Sequence, residues 1–149
     1  MTEVWFYQLR FKPLEQVLPT LLEKTRARGW RAVVQVANEQ RLEAIDQALW
    51  TYRDDSFLAH GTARDGHPQL QPIWLTTGDE NPNGAEVRLV VDGADTASVD
   101  GYQRVIHIFD GDDEVAIAAA RQTWKRMKAA GHAISYYQMT DAGQWQKKA

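Results

Sequence analysis

Apolar positions along the chain alternate between short unbroken runs and stretches with a period of three to four residues. Val4-Trp-Phe-Tyr-Gln-Leu9 is a compact apolar and aromatic run, which predicts a buried strand. Beyond Pro13, residues Leu14, Val17, Leu18, Leu21 and Leu22 recur at helical spacing up to Gly29. Proline suits the start of such a helix and glycine its end. Pro19 lies inside the stretch and is expected either to bend the helix or to mark its true first turn. Arg31–Ala37 reads as a second strand. Asn38 reads as the N-cap of a helix with Leu42, Ile45, Ala48 and Leu49 on one face.

Three further strands are predicted at Pro72–Thr76, Glu86–Val91 and Arg104–Phe109, with a turn at Asn81-Pro-Asn-Gly84 between the first two. A last helix is expected from about Asp112 to Ala130, stopped by Gly131, and then a final strand at Ala133–Met139. Strands alternating with helices predict a single three-layer α/β domain over residues 1–149, its sheet mostly parallel with helices on both faces.

Composition narrows the function classes. The 149 residues are 44% hydrophobic and 25% charged, as in ordinary soluble domains. The absence of cysteine excludes a disulfide framework, a thiolate metal site and a cysteine nucleophile, and suits a reducing cytoplasm. Met1-Thr2-Glu3 opens no export signal, and no apolar run approaches the ~18 residues of a membrane span. A net charge of -3 argues against direct duplex-DNA binding. Six tryptophans is a high count for this length.

Candidate chemistry is sparse. The first strand-to-helix turn, Gln8-Leu-Arg-Phe-Lys-Pro13, holds no glycine, whereas a phosphate cradle needs one for close backbone approach. His60, His67, His107 and His132 form no pair at i+3 or i+4, so no metal site is predicted. His107 is expected to be a hydrogen-bonded structural histidine. Asp110-Gly-Asp-Asp-Glu114 reads as capping of the last helix rather than a cation site. No catalytic residue and no cofactor is predicted.

Two stretches read as binding surfaces. Trp50, Tyr52 and Phe57 crowd around the charged Arg53-Asp54-Asp55, and large apolar side chains at such a corner await a partner. On the last helix, Arg121, Trp124, Lys125 and Lys128 form one stripe, beside a core side of Ala116, Ala120, Thr123, Met127 and Ala130. From residue 121 onward six positive charges face Asp141 alone, which suits an acidic peptide. A merely solvated helix face is the plainer alternative.

Several motifs in order resemble one family. Ala48-Leu-Trp50 is followed by Asp55-Ser-Phe57, an apolar pair and His60-Gly61. Arg121, Trp124, Lys125, Lys128 and Gly131 precede a strand, Phe6-Tyr7-x-Leu9 opens the chain, and a basic tail carries Trp145. The set resembles the chi subunit of bacterial DNA polymerase III. That resemblance implies a Rossmann-like domain without bound nucleotide, acting as a non-catalytic member of the cytoplasmic clamp-loader assembly. It implies two partners: the acidic C-terminal tail of single-stranded-DNA-binding protein, and the psi subunit. The tail site would be Arg121, Trp124, Lys125 and Lys128 with Phe109 as a wall, and the psi-facing surface Trp50, Tyr52 and Phe57. Ile117 departs from the family, which carries a basic residue there, so a weaker grip on the tail is expected. Segments 61–72 and 78–84 do not match the family pattern. Two other readings stay open: a nucleotide-dependent or hydrolytic α/β enzyme, on fold analogy alone, and a direct single-stranded nucleic-acid binder.

Overall fold

The computed structural model describes residues 2–52, 58–95 and 99–149. Among these, one sheet contains β1 (Glu3–Leu9), β2 (Ala32–Gln35), β3 (Ile73–Thr76), β4 (Val87–Val91), β5 (Arg104–Asp110), β6 (Ala133–Met139) and β7 (Trp145–Lys147). Its order is β3-β2-β4-β5-β1-β6-β7. Every neighbouring pair is parallel except β6 with β7. The helices are α1 (Leu14–Ala27), α2 (Glu39–Thr51) and α3 (Glu114–Ala129). None is long and apolar enough to cross a membrane.

The handedness of parallel crossovers accounts for the layering. From β1 the chain steps through β2 to β3 toward one edge, and α1 and α2 lie together on one face. It then reverses, and a right-handed connection must pass over the opposite face. Residues Val99 and Tyr102 and helix α3 accordingly pack on that second face. The α/β architecture expected from the sequence is therefore present. The short antiparallel β7 was not foreseen.

Local signals set the helix ends. Asn38 Oδ1 accepts from the Arg41 N–H at 2.9 Å, and Asp113 Oδ1 from the Val115 N–H at 2.9 Å. The capping reading of the acidic cluster thus stands. Both α1 and α3 end in a glycine with positive φ, Gly29 at 78° and Gly131 at 86°. Trp30 N–H bonds to Thr25 O and His132 N–H to Met127 O, the six-to-one closure of a Schellman motif. Pro19 is buried within α1, whose first residue is Leu14, so it does not mark the first turn.

Leu18, Leu22, Ile45 and Leu49 cover Val34, Leu75 and Leu89 on the first face. On the second, Met127 covers Val4, Phe6, Val90 and Val105. Over β2 and β4 the second face is closed by loops, and a charged residue fastens them. Arg88 of β4 is 0% exposed. Its Nε and Nη2 donate to Gln35 Oε1 at 3.0 and 2.7 Å, and its Nη1 to Glu80 O and the Tyr102 hydroxyl, both at 2.9 Å. Nη2 also donates to Gly78 O at 2.5 Å. All five guanidinium N–H groups are thereby used. Nearby, burial alone would raise the Glu80 pKa, but hydrogen bonds from Thr76 and Trp74 hold it below its ordinary value.

Replacing Arg88 by leucine strips donors from Gln35, Gly78, Glu80 and Tyr102 at once. Urea unfolding should show a loss of about 3–5 kcal/mol, the range for breaking a buried charged network. A loss under about 1 kcal/mol, within ordinary surface-mutation scatter, would contradict the clamp.

Candidate functional site

Helix α3 rests over β5 and β6 and leaves most of its surface in solvent. Met127 is its one buried residue among those described. Arg121, Lys125 and Lys128 are exposed, as the stripe predicted. Trp124 is not: its ring turns toward the sheet, 5.5 Å from Phe6 and 6.0 Å from Tyr136 between centroids. The expected division of the helix needs correction on both sides. Trp124 packs with Ala120 against the core, while Ala130, read as core, is exposed. A tryptophan at the margin is long enough to bridge back to the sheet.

Phe109, at the end of β5, lies 6.3 Å from Tyr136. Tyr136 therefore stands between Phe109 and Trp124, and its hydroxyl donates to Gln8 Oε1. Burial pushes its pKa up, tempered by the positive charge of Arg121. Sequence reasoning missed Tyr136 as a site residue. The signal was available: in a strand, Ile134, Tyr136 and Gln138 share the face that α3 covers. The structure thus unites Phe109, Trp124, Tyr136 and Arg121, with Lys125 and Lys128 on the exposed side of the helix.

The second predicted surface is only partly described. Trp50, on the last turn of α2, is 43% exposed, with its ring 4.2 Å from that of His60. His60 is buried and bridges Leu58 O at 2.7 Å and Asp46 Oδ1 at 2.9 Å, tying segment 58–61 to α2. Tyr52 points the other way. It packs against the first-face core and its hydroxyl donates to Glu23. Phe57 lies outside the described residues.

A crevice of about 1080 Å³ opens at the carboxyl ends of β1 and β5, where the chain direction reverses. Doubly wound sheets commonly bind ligands at such a point. Here the turn glycine of a nucleotide binder is replaced by Phe11, 61% exposed at φ 68°. Asp110, Asp112 and Asp113 line the crevice together with Arg10 and Lys12, and Arg41 is tied to Glu15 and Asp92. Among the described residues no group of three or more His, Asp or Glu is placed to hold a metal ion.

His107 lines the crevice. It sits in β5 and is buried, but its Nε2 has no hydrogen-bond partner. Its ring stacks on Phe6, 5.0 Å between centroids. Burial holds its pKa down to about 4, from an ordinary 6.5.

Fold and surfaces together define a doubly wound α/β domain that presents an aromatic, cationic helix face. A family model described as DNA polymerase III chi subunit, HolC, matches residues 1–135. A curated relative, the probable DNA polymerase III subunit chi of Rickettsia prowazekii (strain Madrid E), is 30% identical over 89 residues. That match covers 60% of this chain and 54% of the relative, so the chain spans about half the relative's length. The chain belongs to the DNA polymerase III chi subunit family.

The buried neutral His107 gives the fold a pH dependence of definite sign. Because folding favours the uncharged ring, its stabilisation is complete above pH 6.5 and is lost as pH falls toward 4. About 3 kcal/mol should disappear across that window through this group. In His107→Leu the pH 7 to pH 4 difference in urea-unfolding free energy should shrink by that order. An unchanged difference would show that His107 is not held neutral.

Proposed function

We propose that this chain is a non-catalytic accessory subunit of the bacterial DNA polymerase III clamp-loader assembly, acting in the cytoplasm as one domain over residues 1–149. Its task is to bridge two proteins, the acidic C-terminal tail of single-stranded-DNA-binding protein and the psi subunit. The observation that carries this reading is the α3 face, where Phe109, Tyr136 and Trp124 form an aromatic trio beside Arg121. Such a surface takes an apolar anchor on the rings while cations hold carboxylates.

The tail's last aromatic side chain packs against Phe109 and Trp124. Its terminal carboxylate is gripped by Arg121 or Lys125, charge-assisted contacts stronger than neutral ones. Lys128 steers the preceding acidic residues, so binding weakens with salt. Ile117 is half-buried on α3 where the family resemblance leads one to expect a cation, which lowers the affinity without moving the site. The second partner meets the corner at Trp50 and Phe57, while Tyr52 is turned toward the first-face core and Glu23. Helices α2 and α3 lie on opposite faces of the sheet, so both partners fit at once.

A fluorescence-anisotropy titration with the acidic tail peptide tests the first half. Arg121→Glu and Lys125→Glu should each weaken binding at least about tenfold, or ~1.4 kcal/mol. Amidating the peptide's terminus should have a similar effect. Full affinity in both variants would refute the site. For the second half, Trp50→Ala should weaken psi binding by more than about 1 kcal/mol while leaving thermal stability unchanged. Undiminished psi affinity would remove Trp50 from the interface.

A further inference from the structure

Beyond the two proposed protein contacts, the first face of the sheet carries a row of rings that no function yet explains. The strands β2, β3 and β4 are buried along their whole length. In β6, by contrast, residues Ile134 to Gln138 are all half-exposed, although α3 covers its second face. Strand periodicity places Tyr7 and Trp5 of β1, Tyr137 of β6 and Trp145 of β7 on the first face together.

These side chains form a continuous series. Trp5 and Tyr137 are 5.3 Å apart between centroids, Tyr137 and Tyr7 5.1 Å, and Tyr7 and Trp145 4.4 Å. Arg104 extends the row beyond Trp5. Its guanidinium lies 3.6 Å from the Trp5 ring and 5.4 Å from Trp30, and its Nε–H is buried without an acceptor. Trp30 is fixed there by the Schellman turn that ends α1, and exposed Arg28 covers its ring at 3.9 Å. At the opposite end Lys147 pairs across the ladder with Tyr137 and is exposed.

Trp5, Trp30, Tyr137 and Trp145 are thus half-buried rings edged by Arg28, Arg104 and Lys147, with Glu3 as the carboxylate paired to Arg104. A row of π-faces flanked by cations is the equipment that holds single-stranded nucleic acid: bases stack on rings and the backbone meets the positive rim. We infer that this sheet face is a low-affinity site for single-stranded nucleic acid, distinct from the α3 stripe. The local cationic rim carries the interaction even though the chain's net charge is -3. Sequence independence follows, because every base has a π-face.

The test is a titration of the full chain with a fluorescein-labelled oligothymidylate of about 15 nucleotides at low salt, a length spanning a typical single-strand site. Anisotropy and tryptophan quenching are both read. Binding should appear without any partner protein. It should weaken as salt rises, with a log–log slope of about -2 for two to three phosphate contacts. Arg28→Glu combined with Lys147→Glu, both on exposed positions, should cost at least about tenfold. Tyr137→Leu keeps apolar volume but removes a ring, and should weaken binding several-fold. Arg121→Glu should leave it unchanged. The inference is overturned by no binding at low salt, by an abasic strand binding as tightly, or by an acidic peptide competing as well as the oligonucleotide. Loss of binding in Arg121→Glu with retention in the Arg28/Lys147 double variant would also overturn it, placing the nucleic acid on α3.

Discussion

Much of this structure depends on one guanidinium satisfied inside a sheet. A doubly wound domain ordinarily shields both faces with helices, because buried parallel strands expose apolar side chains on either side. Here, among the described residues, the second face of β2 and β4 receives connecting loops rather than a helix. Loops bring backbone carbonyls, and carbonyls away from water need donors. Arg88 supplies them, holding Gly78 O, Glu80 O and the Tyr102 hydroxyl while Gln35 orients the guanidinium from the neighbouring strand. With this half closed without a helix, α3 lies alone over β5 and β6, most of its circumference in water. The candidate tail face is a consequence of that arrangement.

What could be read from the sequence was what short-range chemistry decides. Asn38, Asp113, Gly29 and Gly131 act within one helical turn of themselves, and the ends they set came out as expected. Arg88 was hidden because its partner Gln35 lies 53 residues away, and a charged residue in an apolar strand gives no sign of what will meet it. Strand β7 was hidden for another reason. Trp145-Gln-Lys147 is too short for a period and becomes a strand only by pairing with β6. His107 was placed in the right element, but its stacking on Phe6 and the unpartnered Nε2 depend on tertiary packing, which no local pattern encodes.

The candidate site followed the same division. Helical spacing identified Arg121, Lys125 and Lys128 as exposed together, while the turn of Trp124 toward Phe6 and Tyr136 required knowing where the sheet lies. The high tryptophan count finds separate explanations. Trp74 lies under a loop with its Nε1–H on Glu80, and Trp124 joins α3 to the sheet. Trp50 stands out at the α2 corner, and Trp5, Trp30 and Trp145 belong to the row on the first face. The family match, over residues 1–135, places the chain in the DNA polymerase III chi subunit family.

The central claim is that the acidic tail docks on the α3 face and nowhere else. Hydrogen–deuterium exchange of the full chain, with and without saturating tail peptide, addresses it directly. Protection should concentrate in residues 117–128 and 134–138, with segments 39–52 and 58–61 unchanged. Protection centred instead on the α2 corner, or on the crevice turn at residues 9–15, would contradict it.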